Sequence, residues 1–206
     1  MKKWLCLVLV GLMLLCCTAC DGEPARSGES TAPTPITDTQ KEDIQTFLND
    51  PTNNGFVGHT YTSPEKISPQ VVFYDGAGVG ISGTTDWSEQ EKQAVLAAAG
   101  WDAYHNPPLK LPRSEVERVL QEKLGLSPEK LETDLTESFC YVEAYDAYYT
   151  MHGDTNYAAV SVTAGWVAPD GAYVIEYTSD CFSGSGAVVT LRKTDTGFQF
   201  VSNVRK

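Results

Sequence analysis

The sequence predicts an α+β fold in which N-terminal helices pack on a C-terminal antiparallel meander of four to five strands. In the first half, apolar residues recur at the three- and four-residue spacing of amphipathic helices, and Ser, Thr, Gly or Pro stands at the ends of these segments. In the second half, apolar and polar residues alternate between short turns, which is typical of half-buried strands. Helices followed by consecutive strands define the α+β class.

Three segments of the first half combine a helical start signal with an apolar stripe. They begin at Thr39, Ser88 and Ser114, and Gly100 and Gly125 end the last two. Ser-Pro pairs at 63–64 and 68–69 predict two short helical turns. The stripes consist of Ile44, Phe47 and Leu48; Ala94, Val95 and Ala98; and Val116, Val119, Leu120 and Leu124.

Alternation predicts the strands of the second half. It runs through residues 158–166 and 173–177, includes 189–191, and resumes at 198–200 after a short turn. Segment 138–149 satisfies both helical and strand spacing, and its aromatic content favours a strand. We therefore expect 138–149 to form the first strand of the meander.

The N-terminus has the pattern of an export signal. Lys2 and Lys3 precede residues 4–17, which are all apolar or Gly. A run of this length is typical of a signal-peptide core and falls short of the roughly 20 residues that span a bilayer as a helix. Thr18, Ala19 and Cys20 resemble the lipobox of bacterial lipoproteins, although Cys17 stands where that motif usually has an aliphatic residue.

The lipoprotein resemblance implies how the chain is organised and where it is located. Residues 1–19 are the signal peptide, and Cys20 carries the acyl chains (palmitate among them) that hold the protein on the extracytoplasmic face of the cell membrane. Residues 20–38 contain three Pro and no apolar periodicity, so we expect a flexible linker. Residues 39–206 form a single α+β domain that is large enough to fold without a stabilising disulfide or metal ion.

Several segments also resemble an uncharacterised family of small Gram-positive (Firmicutes-type) lipoproteins. They are residues 54–56, 73–78, 143–149, 152–157 and 198–203. This resemblance supports the location and the extent of the domain, and it implies no activity.

The charge of the chain excludes one class of partner. The formal net charge is −12, and removal of residues 1–19 takes away Lys2 and Lys3 and no acid, which leaves 13 basic and 27 acidic residues. A strongly acidic protein is a poor ligand for the phosphate backbone, so no nucleic-acid partner is expected.

Residues 78–83 match the dinucleotide-binding pattern G-x-G-x-x-G by letter, but no helical stripe follows, and a glycine-rich loop is the simpler interpretation. We therefore expect no cofactor and no metal.

The candidate functional residues lie at the end of segment 138–149 and between it and the next predicted strand. Tyr148 and Tyr149 belong to a tyrosine cluster that could present a platform to a peptide or a sugar. Because neighbours on a strand point to opposite faces, the two cannot both be buried in one core, and a mixed role in the core and at the rim is the favoured interpretation. His152 beside Asp154 could serve as a general base or a weak cation ligand. The favoured interpretation of this pair is a turn. His59 and His105 lie in polar loops and are expected to be solvated.

Cys140 and Cys181 are the two cysteines beyond the signal region, and an extracytoplasmic location allows them to form a disulfide. In a simple meander they would lie at opposite ends of the sheet, roughly 30 Å apart, whereas a bridge needs Cα atoms within about 7 Å. A bend or a helix in segment 138–149 would weaken this objection, so both states stay open.

Three classes of function follow from these features. The leading hypothesis is a non-catalytic, lipid-anchored surface domain that binds an extracellular ligand or an envelope protein, because the sequence has no G-x-S-x-G elbow and no H-E-x-x-H helix. The alternatives are a secreted hydrolase that uses His152 and Asp154, and a structural or sensor subunit of an envelope complex.

Overall fold

Two antiparallel sheets and five helices make up the part of the chain that the computed structural model describes, namely residues 32–78, 87–106, 108–153, 155, 157, 159–182 and 185–206. The helices are α1 (Asp38–Leu48), α2 (Asn54–Val57), α3 (Pro69–Tyr74), α4 (Glu89–Ala99) and α5 (Arg113–Leu124). The strands are β1 (Thr34–Pro35), β2 (Pro108–Pro112), β3 (Cys140–Val142), β4 (Ala147–Met151), β5 (Val160–Val167), β6 (Tyr173–Ser179), β7 (Gly186–Thr194) and β8 (Gly197–Arg205). The α+β class is confirmed. The predicted signal peptide, Cys20 and residues 20–31 of the predicted linker lie outside the described residues.

The larger sheet has the order β1-β5-β6-β7-β8, so its last four strands form the predicted antiparallel meander. Helices α1, α2, α3 and α5 contribute side chains to the hydrophobic cluster on this sheet, which we call the main core. The cluster includes, for example, Ile44, Phe56 and Leu120 from the helices, and Ile175 and Phe200 from the strands. All five are fully buried. The stripes of α1 and α5 and the strand alternation therefore meet as the sequence predicts. The predicted stripe of α4 is wrong at Ala98, which is exposed in the last turn of the helix, and Val95 packs in a separate cluster.

Two bulges change which residues of the meander face the main core. The β5–β6 register shifts between Val162 and Ala164, so that Val160 and Val162 are buried while Trp166 is only half-buried. The predicted alternation through 158–166 is wrong beyond Val162, because one extra residue in a strand inverts the faces that follow it. A second shift, on β8, places Asn203 in the interior after Phe200.

Two helices begin at positions that differ from the predicted ones. The N-cap of α1 is Thr37, whose hydroxyl accepts from the Gln40 amide while the Gln40 side chain accepts from the Thr37 amide. Thr39 therefore lies inside the helix and does not cap it. Helix α5 begins at Arg113 after Pro112, and no side chain caps its N-terminus. The helical start signal predicted at Ser114, a capping box, therefore does not form. A proline sets the backbone angle at such a boundary without a capping hydroxyl.

The ordered structure also begins earlier than the predicted boundary at residue 39. Strand β1 pairs with the edge of β5, with Thr34 opposite Val167 and Pro35 opposite Trp166. The Ile36 amide donates to the Gly165 carbonyl at 3.1 Å, and the Ile36 side chain packs against the main core. Residues 34–38 of the predicted linker are therefore part of the fold, because their backbone groups pair with an otherwise open strand edge.

Segment 138–149 is not the first strand of the meander. It forms β3, a 3₁₀ turn in which Asp146 has a φ of 44°, and β4. The two strands join β2 in a separate sheet of order β2-β4-β3. Strand β2 carries no strand signal in the sequence, since a proline at each end of a five-residue segment hides its strand character.

The small sheet separates the main core from α4. One face carries Leu109, Leu111 and Tyr148, which pack with the main core. The other face meets α4 in a second buried group, which we call the small cluster: Trp87, Val95, Val142, Ala147 and Tyr149. The sheet thus contributes to two different hydrophobic clusters, one on each face.

Candidate functional site

Tyr148 and Tyr149 point to opposite faces of β4, as alternation along a strand requires. Tyr149 is fully buried in the small cluster. Tyr148 is half-buried on the other face, where its ring centroid lies 4.9 Å from that of Tyr141. The structure therefore does not bring the two predicted tyrosines together into one platform.

Tyr149 anchors a buried polar network. Its hydroxyl donates to Glu91 Oε1 at 2.7 Å, and Lys110 Nζ lies 2.7 Å from the same oxygen. Glu91 is only 6% exposed. Burial and the Glu91 carboxylate raise the pKa of Tyr149 well above its ordinary value, so this hydroxyl remains a hydrogen-bond donor at any physiological pH. The network joins α4 to β2 and β4 and positions the helix.

A row of aromatic rings extends from this network to the surface. Trp87 packs edge-on against Tyr149 at 5.0 Å and against Tyr104 at 6.2 Å, and Tyr104 packs edge-on against Trp101 at 6.1 Å between centroids. The Tyr104 hydroxyl donates to the Lys92 carbonyl of α4 at 2.8 Å. The half-buried Trp101 is thus held in place by a tyrosine that is itself bonded to the helix.

A cavity of about 760 Å³ opens beside Trp101. It lies between the C-terminal end of α4, the small sheet and the 3₁₀ turn at Leu135–Glu137. The lining residues are Ala98, Ala99, Trp101, Thr136, Glu137, Ser138, Phe139, Cys140, Tyr141, Tyr149 and Thr150. This volume is within the range of about 300–1,000 Å³ that is typical of small-ligand sites. The cavity is the candidate functional site.

The side chains that line the cavity can bind a ligand through aromatic and polar contacts. Trp101 offers aromatic surface, Thr136 and Ser138 carry hydroxyl groups, and Glu137 carries a carboxylate. Glu137 Oε1 accepts from the Asp134 amide at 3.4 Å, as part of a capping box that shapes the turn.

Asp134, in the same turn, accepts from the Thr136 hydroxyl and amide, and these bonds lower the pKa of the Asp134 carboxyl. The turn therefore keeps its acidic charge at neutral pH.

Cys140 lines the same cavity and is half-buried. Burial raises the pKa of its thiol, so the neutral S–H form dominates at neutral pH. Cys140 and Cys181 are both free in the structure. Cys140 begins β3 in the small sheet, whereas Cys181 lies in a 3₁₀ turn after β6 of the larger sheet.

His152 stabilises the loop that follows β4 through hydrogen bonds. Its Nε2 donates to the Tyr74 carbonyl at 2.8 Å, since a carbonyl can only accept, and the two rings lie 4.5 Å apart. The Tyr74 hydroxyl accepts from the Gly153 amide at 2.7 Å, and Thr155 Oγ1 lies 3.1 Å from His152 Nε2. These contacts tie the loop after β4 to the end of α3. Asp154, the predicted partner of His152, lies outside the described residues.

The other two histidines each contact a carboxylate. His59 Nε2 lies 2.8 Å from Asp75 Oδ2 with both side chains partly exposed, and His105 Nε2 lies 3.0 Å from Asp102 Oδ1 at the surface. The sequence analysis expected both histidines to be merely solvated, and it missed the His59 pair because Asp75 is sixteen residues away. Among the described residues, no cluster of three or more His, Cys, Asp or Glu is arranged to hold a metal ion.

Gly78, the first glycine of the G-x-G-x-x-G match, has a packing role. A Cβ at this position would lie 2.0 Å from the Phe73 carbonyl oxygen, so only glycine fits. The remaining residues of the match lie outside the described part of the chain. The observed contact supports the interpretation of this glycine as structural.

Sequence reasoning missed the residues that define the cavity. Trp101 follows the helix-ending Gly100, and Glu137 lies in a stretch without periodicity, so neither carried a pattern that pointed to a site. The one available signal was an aromatic residue just after a helix C-terminus, and this pattern is too common in proteins to identify a functional site. The predicted region was nevertheless adjacent, since Tyr149 lies in the cavity wall.

The search for similar proteins finds no match to the chain among models of protein families, curated proteins or solved structures. Within the described residues, no helix has the length and apolarity that crossing a bilayer requires.

Proposed function

We propose that this protein is an extracytoplasmic domain, anchored to the cell membrane through lipid on Cys20, that binds a ligand in the cavity beside Trp101 without transforming it. The anchor rests on the sequence: a short basic start, an apolar core and a lipobox-like Thr18-Ala19-Cys20. The binding role rests on one structural observation, the cavity of about 760 Å³ with an aromatic and hydroxyl-bearing wall.

The cavity is well prepared for binding because its main aromatic surface is fixed in advance. Trp101 packs against Tyr104, whose hydroxyl is bonded to the Lys92 carbonyl. A ring that is already ordered loses little conformational entropy when a ligand covers it. A large aromatic side chain near a concave surface is also the type of residue that contributes most to binding energy.

Binding without catalysis is the simpler proposal for this wall. The thiol that lines the cavity, Cys140, has its pKa raised by burial, which disfavours the nucleophilic thiolate. His152, the base of the alternative hydrolase hypothesis, uses Nε2 to hold the Tyr74 carbonyl. Within the described part of the chain, neither group is arranged as an activated nucleophile with its base.

The binding proposal is tested by probing the purified full-length chain in detergent against glycan and short-peptide arrays, with calorimetry on the hits. Trp101→Ala should weaken binding of a hit about tenfold or more, which corresponds to the loss of one aromatic anchor. Trp166→Ala is the matched control, since Trp166 is also half-buried but lies on β5 of the larger sheet. No saturable hit, or a hit that loses equal affinity in both variants, would refute the cavity as the site.

The anchor is tested separately in cells fed radiolabelled palmitate. The wild-type chain should become labelled and sediment with membranes, and Cys20→Ser should abolish both. Cys16→Ser is the control, because Cys16 lies in the apolar core outside the lipobox-like triplet. An unlabelled wild-type protein, or one recovered from the medium, would contradict the anchor and leave the cavity proposal standing.

A further inference from the structure

The cavity beside Trp101 has an uneven distribution of charge. Eleven of the described residues line it, and among these Glu137 has a carboxylate and none is Lys, Arg or His. A second carboxylate, that of Asp134, caps the same 3₁₀ turn and is kept ionised by bonds from Thr136. The whole chain carries a formal net charge of −12, so the surrounding field has the same sign.

The end of α4 adds to this negative potential. Ala98 and Ala99, from the last turn of the helix, lie in the wall of the cavity. The amides of Gly100 and Trp101 both donate to the Leu96 carbonyl, and no backbone donor among the described residues reaches the carbonyls of residues 97–99. Unpaired carbonyls at a helix C-terminus carry about half a negative charge and favour a cation nearby.

An aromatic residue in the wall is the third feature that favours a cation. Trp101 lines the cavity, whereas the ring of Tyr141 packs against Tyr148 on the opposite face of the small sheet. The face of an indole attracts an ammonium or guanidinium group through its quadrupole, and tryptophan is the best of the aromatic residues for this purpose. Trp101 is held edge-on against Tyr104, so its ring is fixed before a ligand arrives.

The two basic side chains that contact the wall residues are already neutralised. Arg113 interacts with the Tyr141 hydroxyl, and its guanidinium also bonds to Glu117 Oε1 at 2.8 Å. Lys110 pairs with Glu91 at 2.7 Å, next to the Tyr149 hydroxyl. Neither side chain offsets the carboxylate of Glu137.

From these three features we infer that the ligand of the cavity carries an organic cation, an ammonium or guanidinium group, which binds against Trp101 and Glu137 at the C-terminal end of α4. The inference rests on the proposed function and deepens it by naming the class of ligand. An anionic ligand would meet only repulsion in this wall. A neutral sugar could stack on Trp101 but would gain no charge attraction from Glu137 or the helix end.

The cation could belong to a small amine or to a basic side chain of a short peptide. The chemistry of recognition is the same in both cases, because the indole face and the carboxylate contact only the charged group. The probes below therefore include one of each source. Acetylation of the lysine in the peptide removes the charge and keeps the length of the side chain, which isolates the contribution of the cation.

The experiment is calorimetric titration of the full-length chain in detergent at low salt. The probes are spermidine, the tripeptide Ala-Lys-Ala with an acetylated N-terminus and an amidated C-terminus, the same capped peptide with an acetylated lysine, and a neutral trisaccharide. We expect spermidine or Ala-Lys-Ala to bind and the acetylated peptide to bind at least about tenfold more weakly. Raising the salt concentration should weaken the binding of the cation, since partly exposed charges are screened.

Two variants and one control locate the bound cation. Trp101→Ala should reduce the affinity about tenfold, and Glu137→Gln about fivefold, because a partly exposed charge pair contributes no more than about 1 kcal/mol. The Gln side chain still accepts the Asp134 amide, so the turn is retained. Glu132→Gln removes an exposed charge from the same segment outside the cavity and should leave the affinity unchanged within about twofold.

Each contrary outcome has a distinct meaning. If neither cationic probe binds, or if the acetylated peptide binds as well as the charged one, the cation inference is wrong. It is also wrong if Glu132→Gln and Glu137→Gln weaken binding equally. Saturable binding of the trisaccharide that is lost in Trp101→Ala, without any binding of the cations, would overturn the inference and support the proposed function. If neither these probes nor the arrays give a saturable ligand, both are refuted.

Discussion

The two sheets of this protein are built on different principles. The five-stranded sheet packs on four helices through the main core, and its strands are up to nine residues long. The three-stranded sheet has strands of three and five residues, and it meets α4 through the small cluster of Trp87, Val95, Val142, Ala147 and Tyr149. Both regions also contain a buried polar network, which centres on a neutral amide, Asn203, in the larger sheet and on a carboxylate, Glu91, beside the smaller one.

This difference explains where the cavity lies. Strand β3 ends its pairing with Cys140 opposite Tyr149, and beyond this point β4 continues beside β2 alone. The wall of the cavity includes Cys140, Tyr149 and the next residue, Thr150. A short strand thus leaves a concave surface that a complete sheet would have filled. The candidate site therefore lies on the smaller sheet, whereas the larger sheet carries most of the main core.

The largest expected effect is in the larger sheet, at Asn203. This fully buried side chain donates to the carbonyls of Phe56, Val57 and His59, and its Oδ1 lies 2.9 Å from the Tyr177 hydroxyl. Asn203→Leu removes the side-chain donor of these carbonyls, of which only that of Val57 keeps the Tyr177 hydroxyl, so we expect a loss of about 4 kcal/mol in the free energy of unfolding, measured by urea denaturation.

The control for Asn203 is its half-buried neighbour on the same strand, Ser202. Ser202→Ala should change the free energy of unfolding by less than about 0.5 kcal/mol. A loss below about 1 kcal/mol in Asn203→Leu would show that these bonds do not hold β8 to segment 56–59.

The corresponding change in the smaller region is Glu91→Gln. It removes the carboxylate that pairs with Lys110 and accepts from Tyr149. Gln can still accept from Tyr149, but the partly buried ammonium loses its counter-charge, and we expect a loss of about 2 kcal/mol in the free energy of unfolding.

Glu89 of the same helix is the matched control, because it forms an exposed pair with Lys92. Glu89→Gln should cost no more than about 0.5 kcal/mol. Equal losses in the two variants would mean that the buried network contributes nothing beyond a surface ion pair.

High pH should test both regions through one tyrosine in each. Burial raises the pKa of Tyr149 and of Tyr177, and the Glu91 carboxylate raises that of Tyr149 further. Since an unfolded tyrosine loses its proton near pH 10, the unfolded state then binds fewer protons than the folded state, and stability falls as the pH rises.

Each of these tyrosines should contribute a slope of about 1.4 kcal/mol per pH unit above about pH 10. Urea denaturation at pH 9, 10 and 11 measures this slope, and Tyr149→Phe and Tyr177→Phe should each reduce it. If only Tyr177→Phe reduces the slope, the small cluster is open to solvent or unfolds before the main core.

The smallest effect is expected at Tyr61, a buried tyrosine of the main core. Its hydroxyl finds no hydrogen-bond partner among the described residues. Tyr61→Phe removes this unsatisfied group, so thermal and urea denaturation should show a protein that is unchanged or about 1 kcal/mol more stable. Tyr177→Phe, which removes a bonded hydroxyl, serves as the comparison and should be destabilising. Destabilisation by Tyr61→Phe would reveal a partner for this hydroxyl.

The accuracy of the sequence-based predictions differs between the two regions for a physical reason. The stripe of Val116, Val119, Leu120 and Leu124 in α5 and the alternation of Tyr173, Ile175 and Tyr177 in β6 are buried as predicted, because each pattern is repeated within a few residues of the chain. The bulge after Val162 was not predicted, since one extra residue leaves no compositional signal.

The sequence by itself determined the α+β class, the apolar stripes of α1 and α5, the meander and the opposite orientation of Tyr148 and Tyr149. Only the tertiary structure decided that β2 pairs with β4 across some forty residues, that Glu91 meets Tyr149 and Lys110, and that Trp101, Glu137 and Cys140 line one cavity. Periodicity reports which face of an element is apolar, a local property of the chain. Which elements meet depends on how distant segments fill the same space, and no spacing within one segment records it.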